Sequence, residues 1–456
     1  MTRLAKRSTA TLLCALITST LVVGQATPPK ANDSTTPLHL LQPDYPVPYG
    51  QPRVDEVTKV INRVYEYLEA NTPTQIIDRQ SGQEITNLAT FNPNAVIKPG
   101  DFRLTSYEWG VTYAGMLLAS EATGDSRYAE YTNKRLAFLA GLIPYFRDQV
   151  KADPNANTSL RPMLAPHALD DAGAMCAAMI KAARAGGIKT DLRPQINTYI
   201  DYITKKEFRL PDGTLARNRP QPNTLWLDDL FMSVPALAQM GKLTGDRAYY
   251  DEAVKQVVQF SKRMFNKEKG LYMHGWVEGM TVHPEFHWAR ANGWGIMTAV
   301  ELLDVLPENH PGRAAVLDLL RAHARGLAAC QSGSGFWHQL LDRNDSYLET
   351  SATAIYVYSI ARAINRGWLD PLAYAPMALL GWNAVSTKVT DKGQVDGTCV
   401  GTGMGFDPAF YYHRPINLYA AHGYGPVLLA GAEVINLIKK KTFEINDSSL
   451  QLTQKK

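Results

Sequence analysis

Two stretches hold the residues best suited to acid–base chemistry: His167–Met175 (HALDDAGAM) and Leu225–Ser233 (LWLDDLFMS). Each carries an Asp-Asp pair, Asp170-Asp171 or Asp228-Asp229, at the expected start of a helix and among apolar or aromatic neighbours. Burial disfavours the charged form of a carboxyl, so such Asp residues can stay protonated near neutral pH and act as acids. The competing reading is local. Asp at a helix start accepts the free N–H groups of the first turn and suits the positive end of the dipole. For any one of the four, capping is the stronger expectation, and the rest of the chain has to decide.

The elements that position these pairs are helical. Apolar residues recur with helical period at about 52–70, 106–122, 126–142, 168–185, 192–206, 225–242, 246–265, 289–305, 313–329, 350–365, 371–385 and 417–438. A weak repeat runs through them, EATGDSRY at Glu121–Tyr128 and KLTGDRAY at Lys242–Tyr249. In both copies Gly ends one helix and Asp (Asp125, Asp246) caps the next. A repeated helix–turn–helix unit implies a solenoid or a closed toroid. Twelve helices suit an all-α (α/α)6 barrel of six helical hairpins. Segments apolar nearly all round, such as 168–183 and 288–303, fit an inner ring. Charged segments such as 247–265 fit the outer one. The Asp pairs then stand at the mouth of a cavity.

Loops dense in aromatics, His, Gly and Arg join the helices: LYMHGWVEG at 271–279, EFHWARANGW at 285–294 and GFWHQLLDRNDSYLET at 335–350. Flat rings beside hydrogen-bonding groups suit sugars, although a single Trp more often packs. Arg290 and Trp294 are four apart and share a helix face, where Arg290 suits either a substrate carboxylate or a nearby acid. His283 and His287 have i,i+4 spacing but enclose Pro284, and no HExxH accompanies them, so no metal is expected. The Gly-rich run at 393–405 lacks the strand–helix setting of a phosphate cradle and reads as a close-packed loop at the mouth.

Composition excludes other classes. The 456 residues are 45% hydrophobic and 20% charged, ordinary for a globular chain. The formal charge of +4 includes Arg3, Lys6 and Arg7 of a basic, apolar N-terminus that reads as a secretory signal cleaved after Ala26. The remainder is near neutral, so no nucleic-acid partner is expected, and no membrane span is foreseen. The expected organisation is a signal at 1–26, a leader at 27–50, the barrel at 51–440 and a polar tail at 441–456. Cys176, Cys330 and Cys399 leave room for one bridge or none.

The motifs LWLDDLFMS, HWARANGW, SYLETSATA, DGTCVGTGMGFDPAFYYHRP and AHGYGPVLLAG together resemble glycoside hydrolase family 105, the unsaturated rhamnogalacturonyl and unsaturated glucuronyl hydrolases, over about 54–438. The resemblance implies an (α/α)6 barrel acting on lyase-generated oligosaccharides with a 4,5-unsaturated uronic acid at the non-reducing end, without metal or organic cofactor. It implies Asp228 as proton donor and Asp171 as the second acidic residue, with Asp170 the adjacent choice. It places Trp226, His274, Trp288, Arg290 and Trp294 in the substrate site. Ala291 stands where the family usually has Gly, and Val277 where an acidic residue is common. The alternatives to a hydrolase are a polysaccharide lyase or a non-catalytic sugar-binding protein on the same barrel. The sequence does not specify the oligomeric state.

Overall fold

The computed structural model describes residues 31–32, 34–36, 50–153, 158–445 and 450–453. The expected signal segment therefore lies outside the described residues, as does most of the leader. Among the described residues, twelve helices of nine residues or more organise the fold. They are α1 (Val54–Asn71), α2 (Tyr107–Thr123), α3 (Ser126–Ala152), α4 (Leu169–Ala185), α5 (Arg193–Asp201), α6 (Val234–Thr244), α7 (Arg247–Met264), α8 (Ala289–Leu303), α9 (Arg313–Ala329), α10 (Thr350–Asn365), α11 (Pro371–Ser386) and α12 (Tyr424–Lys440).

Even-numbered helices form the inner ring. Each touches the next, α2–α4–α6–α8–α10–α12, and α12 returns to α2. Odd-numbered helices pack outside: α3 on α2, α5 on α4, α7 on α6, α9 on α8, α11 on α10 and α1 on α12. The chain's first helix thus backs its last, and the ring is a closed (α/α)6 barrel.

Side-chain pattern explains the two roles. Helix α1 buries one stripe, Val57, Ile61, Val64 and Leu68, and its other residues are half-buried or exposed. Every residue of α8 is buried. Gly124 and Gly245 end α2 and α6 in the left-handed conformation, with φ of 80° and 76°, and the Asp125 and Asp246 side chains accept from the N–H groups of Arg127 and Ala248. The repeated Thr-Gly-Asp is therefore a hairpin junction.

Three expected segments differ. Helix α3 runs through Pro144 to Ala152, because Leu142, Ile143, Tyr145 and Phe146 are buried and hold the helix across the missing N–H. The helix expected from 417 starts at Tyr424, after a 3-10 turn at Ala421–Gly423. The segment at 225–242 divides into a strand (Thr224–Trp226), a short helix (Asp228–Phe231) and α6. Ser233 breaks it, with φ −140° and ψ −56°, its hydroxyl donating to the Asp229 carbonyl at 2.6 Å, and Pro235 follows near the start of α6. The expected polar tail contributes antiparallel strands Phe443–Ile445 and Leu450–Leu452, with Phe443 and Leu450 buried. Among the described residues no helix is long and apolar enough to cross a membrane.

The turn at Met232 lies against α4, where a Cβ on Gly173 would overlap the Met232 carbonyl. Gly173→Ala must push these backbones apart, because neither side of the contact is a flexible side chain. The expected loss is about 3 kcal/mol, read as a lower denaturant midpoint at unchanged m-value. A midpoint equal to the parent's would show that the contact yields freely.

Candidate active site

The N-terminal ends of the inner helices converge on one mouth of the barrel. Strand Thr224–Trp226 pairs antiparallel with Gly275–Val277, and the Leu227 N–H donates to the His274 carbonyl at 2.9 Å. This ladder sets Asp228, the first residue of its short helix, beside His274. His274 Nε2 lies 3.1 Å from Asp228 Oδ2, and its Nδ1 lies 2.8 Å from the Tyr411 hydroxyl. Burial pushes the Asp228 carboxyl up. The His274 hydrogen bond and charge, followed by Arg217 and Arg290, outweigh burial and hold it below the ordinary carboxylate range. This differs from the expectation that apolar flanks keep it protonated, because the flanking sequence does not reveal the cations brought in by the fold.

The neighbouring carboxylates have other tasks. Asp229 is fully buried, and Arg217 Nε donates to its two oxygens at 2.9 and 2.8 Å. Burial raises the Asp229 carboxyl to about 6, and Arg217 restrains it from rising further. The same guanidinium reaches Asp170 at 3.0 and 3.2 Å. Arg217 therefore clamps the two Asp pairs together through Asp229 and Asp170, and its plane stacks 4.6 Å from the Trp226 ring. Asp171, one position on and so turned about 100° around the helix, is not on that clamp. Its Oδ2 accepts from the His167 backbone N–H at 3.0 Å and lies 2.6 Å from His167 Nδ1.

The aromatics from the sequence reading form the walls. Trp288 is buried, 4.7 Å from the His274 ring and 4.6 Å from the Arg290 guanidinium. Trp294 stacks on Phe231 at 5.0 Å. The Arg217 and Arg219 guanidinium groups lie over the Trp226 ring, at 4.6 and 5.4 Å. The indole N–H groups of Trp226 and Trp288 have no partner among the described residues. Arg290 is only 1% exposed, and its terminal nitrogens donate to the Cys399 and Val400 carbonyls at 2.7 and 2.6 Å, with Glu349 3.9 Å away. It secures the Gly-rich loop over the mouth, and Gly403 of that loop lies against Trp226. His283 and His287 bind separate backbone groups, of Val277 and Tyr272. Among the described residues, no three His, Cys, Asp or Glu gather as metal ligands, and the three cysteines are free thiols.

Sequence reasoning missed Arg217, Tyr411, Tyr107 and His422. Tyr107 and His422 meet at 2.6 Å across 315 residues of chain. Tyr411 lies inside a motif that was noticed, but Arg217 sits in an ordinary loop with no local signal.

A closed helical barrel with an isolated carboxyl in an aromatic, His-lined mouth has the architecture of a carbohydrate-active enzyme. The chain belongs to Glycosyl Hydrolase Family 88, whose model matches residues 76–438. It is 31% identical to an unsaturated 3S-rhamnoglycuronyl hydrolase of Alteromonas sp., over 46% of this chain and 51% of that protein. It is 27% identical to an unsaturated rhamnogalacturonyl hydrolase of Bacillus subtilis, over 53% of this chain and 70% of that one. The matched stretch thus spans about half the length of the Alteromonas relative. A crystal structure from Klebsiella pneumoniae, described as a possible member of the GH105 family, is 26% identical, covers 89% of this chain and 99% of its own, and superposes with a TM-score of 0.65.

Replacing Arg217 by Met strands Asp229 as a buried carboxyl without its counter-charge. The expected cost is roughly 3–5 kcal/mol, measured by chemical denaturation. A loss under about 1 kcal/mol, the size of a surface pair, would show that the clamp contributes little.

Proposed function

We propose that the protein is an unsaturated uronyl hydrolase, with Asp228 as its proton donor. The observation that carries this is the setting of Asp228: it is free of the Arg217 clamp and lies 3.1 Å from the buried His274, whereas Asp171, also off the clamp, meets the exposed His167. The printed activities of the Alteromonas and Bacillus relatives and the family match support the same reading.

In the proposed reaction, Asp228 delivers a proton to C4 of the C4=C5 double bond. The ring oxygen stabilises the cation at C5, and water adds there while giving its proton back to the Asp228 carboxylate. The C5 hemiketal opens, and the anomeric carbon releases the remaining saccharide. Asp228 must first be protonated. The uronate's own carboxylate, entering a water-poor mouth, opposes the pull of His274, Arg217 and Arg290 and lifts the Asp228 carboxyl when substrate is present. His274, fixed from behind by Tyr411, orients the acid. Asp171 is proposed to orient the sugar or the water. Trp226, Trp288 and Trp294 shape the sugar's walls, and Arg290 acts through the loop it holds. Residues 51–440 are read as the catalytic barrel, and residues 1–26 are proposed to be a secretory signal that carries the enzyme out of the cytoplasm.

Asp228→Asn keeps the shape and removes the acid. Turnover, followed as loss of the unsaturated uronate's ultraviolet absorbance, is expected to fall by at least about 100-fold while binding of the same oligosaccharide persists. Near-normal turnover in this variant would refute the assignment. A lyase would instead generate absorbance from an intact polysaccharide. Full activity is expected in excess chelator, and loss of activity there would point to a metal.

The rate should fall on the alkaline side as Asp228 loses its proton. In His274→Gln the residual activity should keep this limb to higher pH, because the contact that lowers the Asp228 carboxyl is gone. An unmoved limb in the kcat/KM profile would mean that His274 does not tune the acid.

A further inference from the structure

Three polar atoms converge on one buried hydroxyl behind His274. The Tyr411 hydroxyl oxygen lies 2.8 Å from His274 Nδ1, 3.0 Å from the Gly405 backbone nitrogen and 3.3 Å from the Gly405 carbonyl oxygen. Tyr411 is buried on the short helix Pro408–Tyr412, whose Asp407 cap accepts from the Phe410 N–H at 2.8 Å. Its ring packs against Phe286, Trp288 and Phe410 at 5.2, 6.4 and 5.1 Å, which fixes the hydroxyl in place. Burial pushes the phenol above its ordinary value, so it keeps its hydrogen.

A hydroxyl has one hydrogen to give and two lone pairs to fill. The Gly405 N–H can only donate, and the Gly405 carbonyl can only accept. All three contacts form together only when Nδ1 also donates. The hydroxyl then accepts from Nδ1 and from the Gly405 N–H and gives its hydrogen to the carbonyl. With that hydrogen turned onto Nδ1 instead, one lone pair and the carbonyl contact go unused. On the far side of the ring, Nε2 lies 3.1 Å from Asp228 Oδ2. Asp228 is held below the ordinary carboxylate range, and a carboxylate only accepts, so Nε2 carries a hydrogen as well. His274 is only 1% exposed, so each ring N–H needs its protein partner.

We propose that Tyr411 is a positioning residue that keeps both ring nitrogens of His274 protonated, so that His274 and Asp228 form an imidazolium–carboxylate pair before substrate arrives. The catalytic consequence rests on the hydrolase reading above. The Gly405 carbonyl that completes the chain belongs to the Gly-rich run that Arg290 holds at Val400, so the charge beside the acid depends on that loop. Asp228 also faces Arg217, Arg290, Tyr107 and Tyr411. The two guanidinium groups stay charged and the two buried phenols stay neutral, which leaves His274 as the neighbour whose charge can change.

Selective 15N labelling of histidine tests this directly. In the wild-type protein at neutral pH, the ring signals that vanish in His274→Gln are expected at imidazolium positions. Tyr411→Phe keeps the buried ring and removes the hydroxyl, so a hydrogen on Nδ1 loses its acceptor. In that variant the His274 ring is expected to be neutral, with its hydrogen on Nε2. Loss of the charge lets the Asp228 carboxyl rise, and the alkaline limb of kcat/KM should move up by roughly one pH unit. In the His274→Gln background Tyr411→Phe should leave the limb unmoved, because Tyr411 acts through His274. A neutral His274 ring in the wild type overturns the proposal. So does a limb that Tyr411→Phe leaves in place, or shifts equally when His274 is absent. An imidazolium that is lost in Tyr411→Phe, without turnover of any unsaturated oligosaccharide, keeps the ion pair and refutes the hydrolase. Turnover through Asp228 beside a neutral His274 keeps the hydrolase and refutes the ion pair.

Discussion

Close backbone approach around the inner ring is the constraint on which the rest of this structure depends. A Cβ on Gly115 of α2 would lie 2.9 Å from the Gly425 carbonyl oxygen of α12, and one on Gly425 would lie 2.7 Å from the Thr112 N–H. These contacts seal the seam between the chain's first and last inner helices. Gly110 and Gly173 do the same on the two sides of α4. Larger residues there would widen the ring and let the mouth open, and the proposed reacting groups stand at that mouth on helix N-termini. Packing thus sets catalytic geometry before any polar contact is made.

Tight closure also forces charge into the interior at both ends, where the protein deals with it in two ways. At the far mouth Glu301 takes Lys181 and the Tyr358 hydroxyl, each at 2.6 Å, and Arg366 meets Asp304 at 2.7 Å. Those groups are paired with one another around a polar pocket of about 310 Å³. At the near mouth the Arg217 clamp disposes of Asp229 and Asp170 in the same way but leaves Asp228 to a histidine. An imidazole can share or release a proton, whereas a guanidinium stays charged. The difference between the clamped Asp residues and the proposed proton donor is therefore the partner that the fold supplies, because their local sequences are nearly identical.

Helix count, the Thr-Gly-Asp junctions and the division into apolar and amphipathic helices were legible in the chain, because they rest on local periodicity and capping. The motifs carried the acid pairs and the aromatic walls. The break at Ser233 was not legible, since a continuous apolar run conceals a change from strand to turn to helix. Nor was the charge state of Asp228, which depends on His274, 46 residues away, and on Arg217 and Arg290.

By itself the sequence determined an all-α repeat with two acid pairs at helix starts and sugar-suited loops between them. Only the tertiary structure decided that the ring closes through Gly115 and Gly425, and that Arg217 removes two of the four carboxylates from contention. It alone brought the Tyr411 hydroxyl and the Gly405 carbonyl behind His274. Periodicity and capping act over a few residues, so they are written locally. Closure, counter-charge and cavities arise between residues up to hundreds of positions apart, and they exist only once the helices have packed.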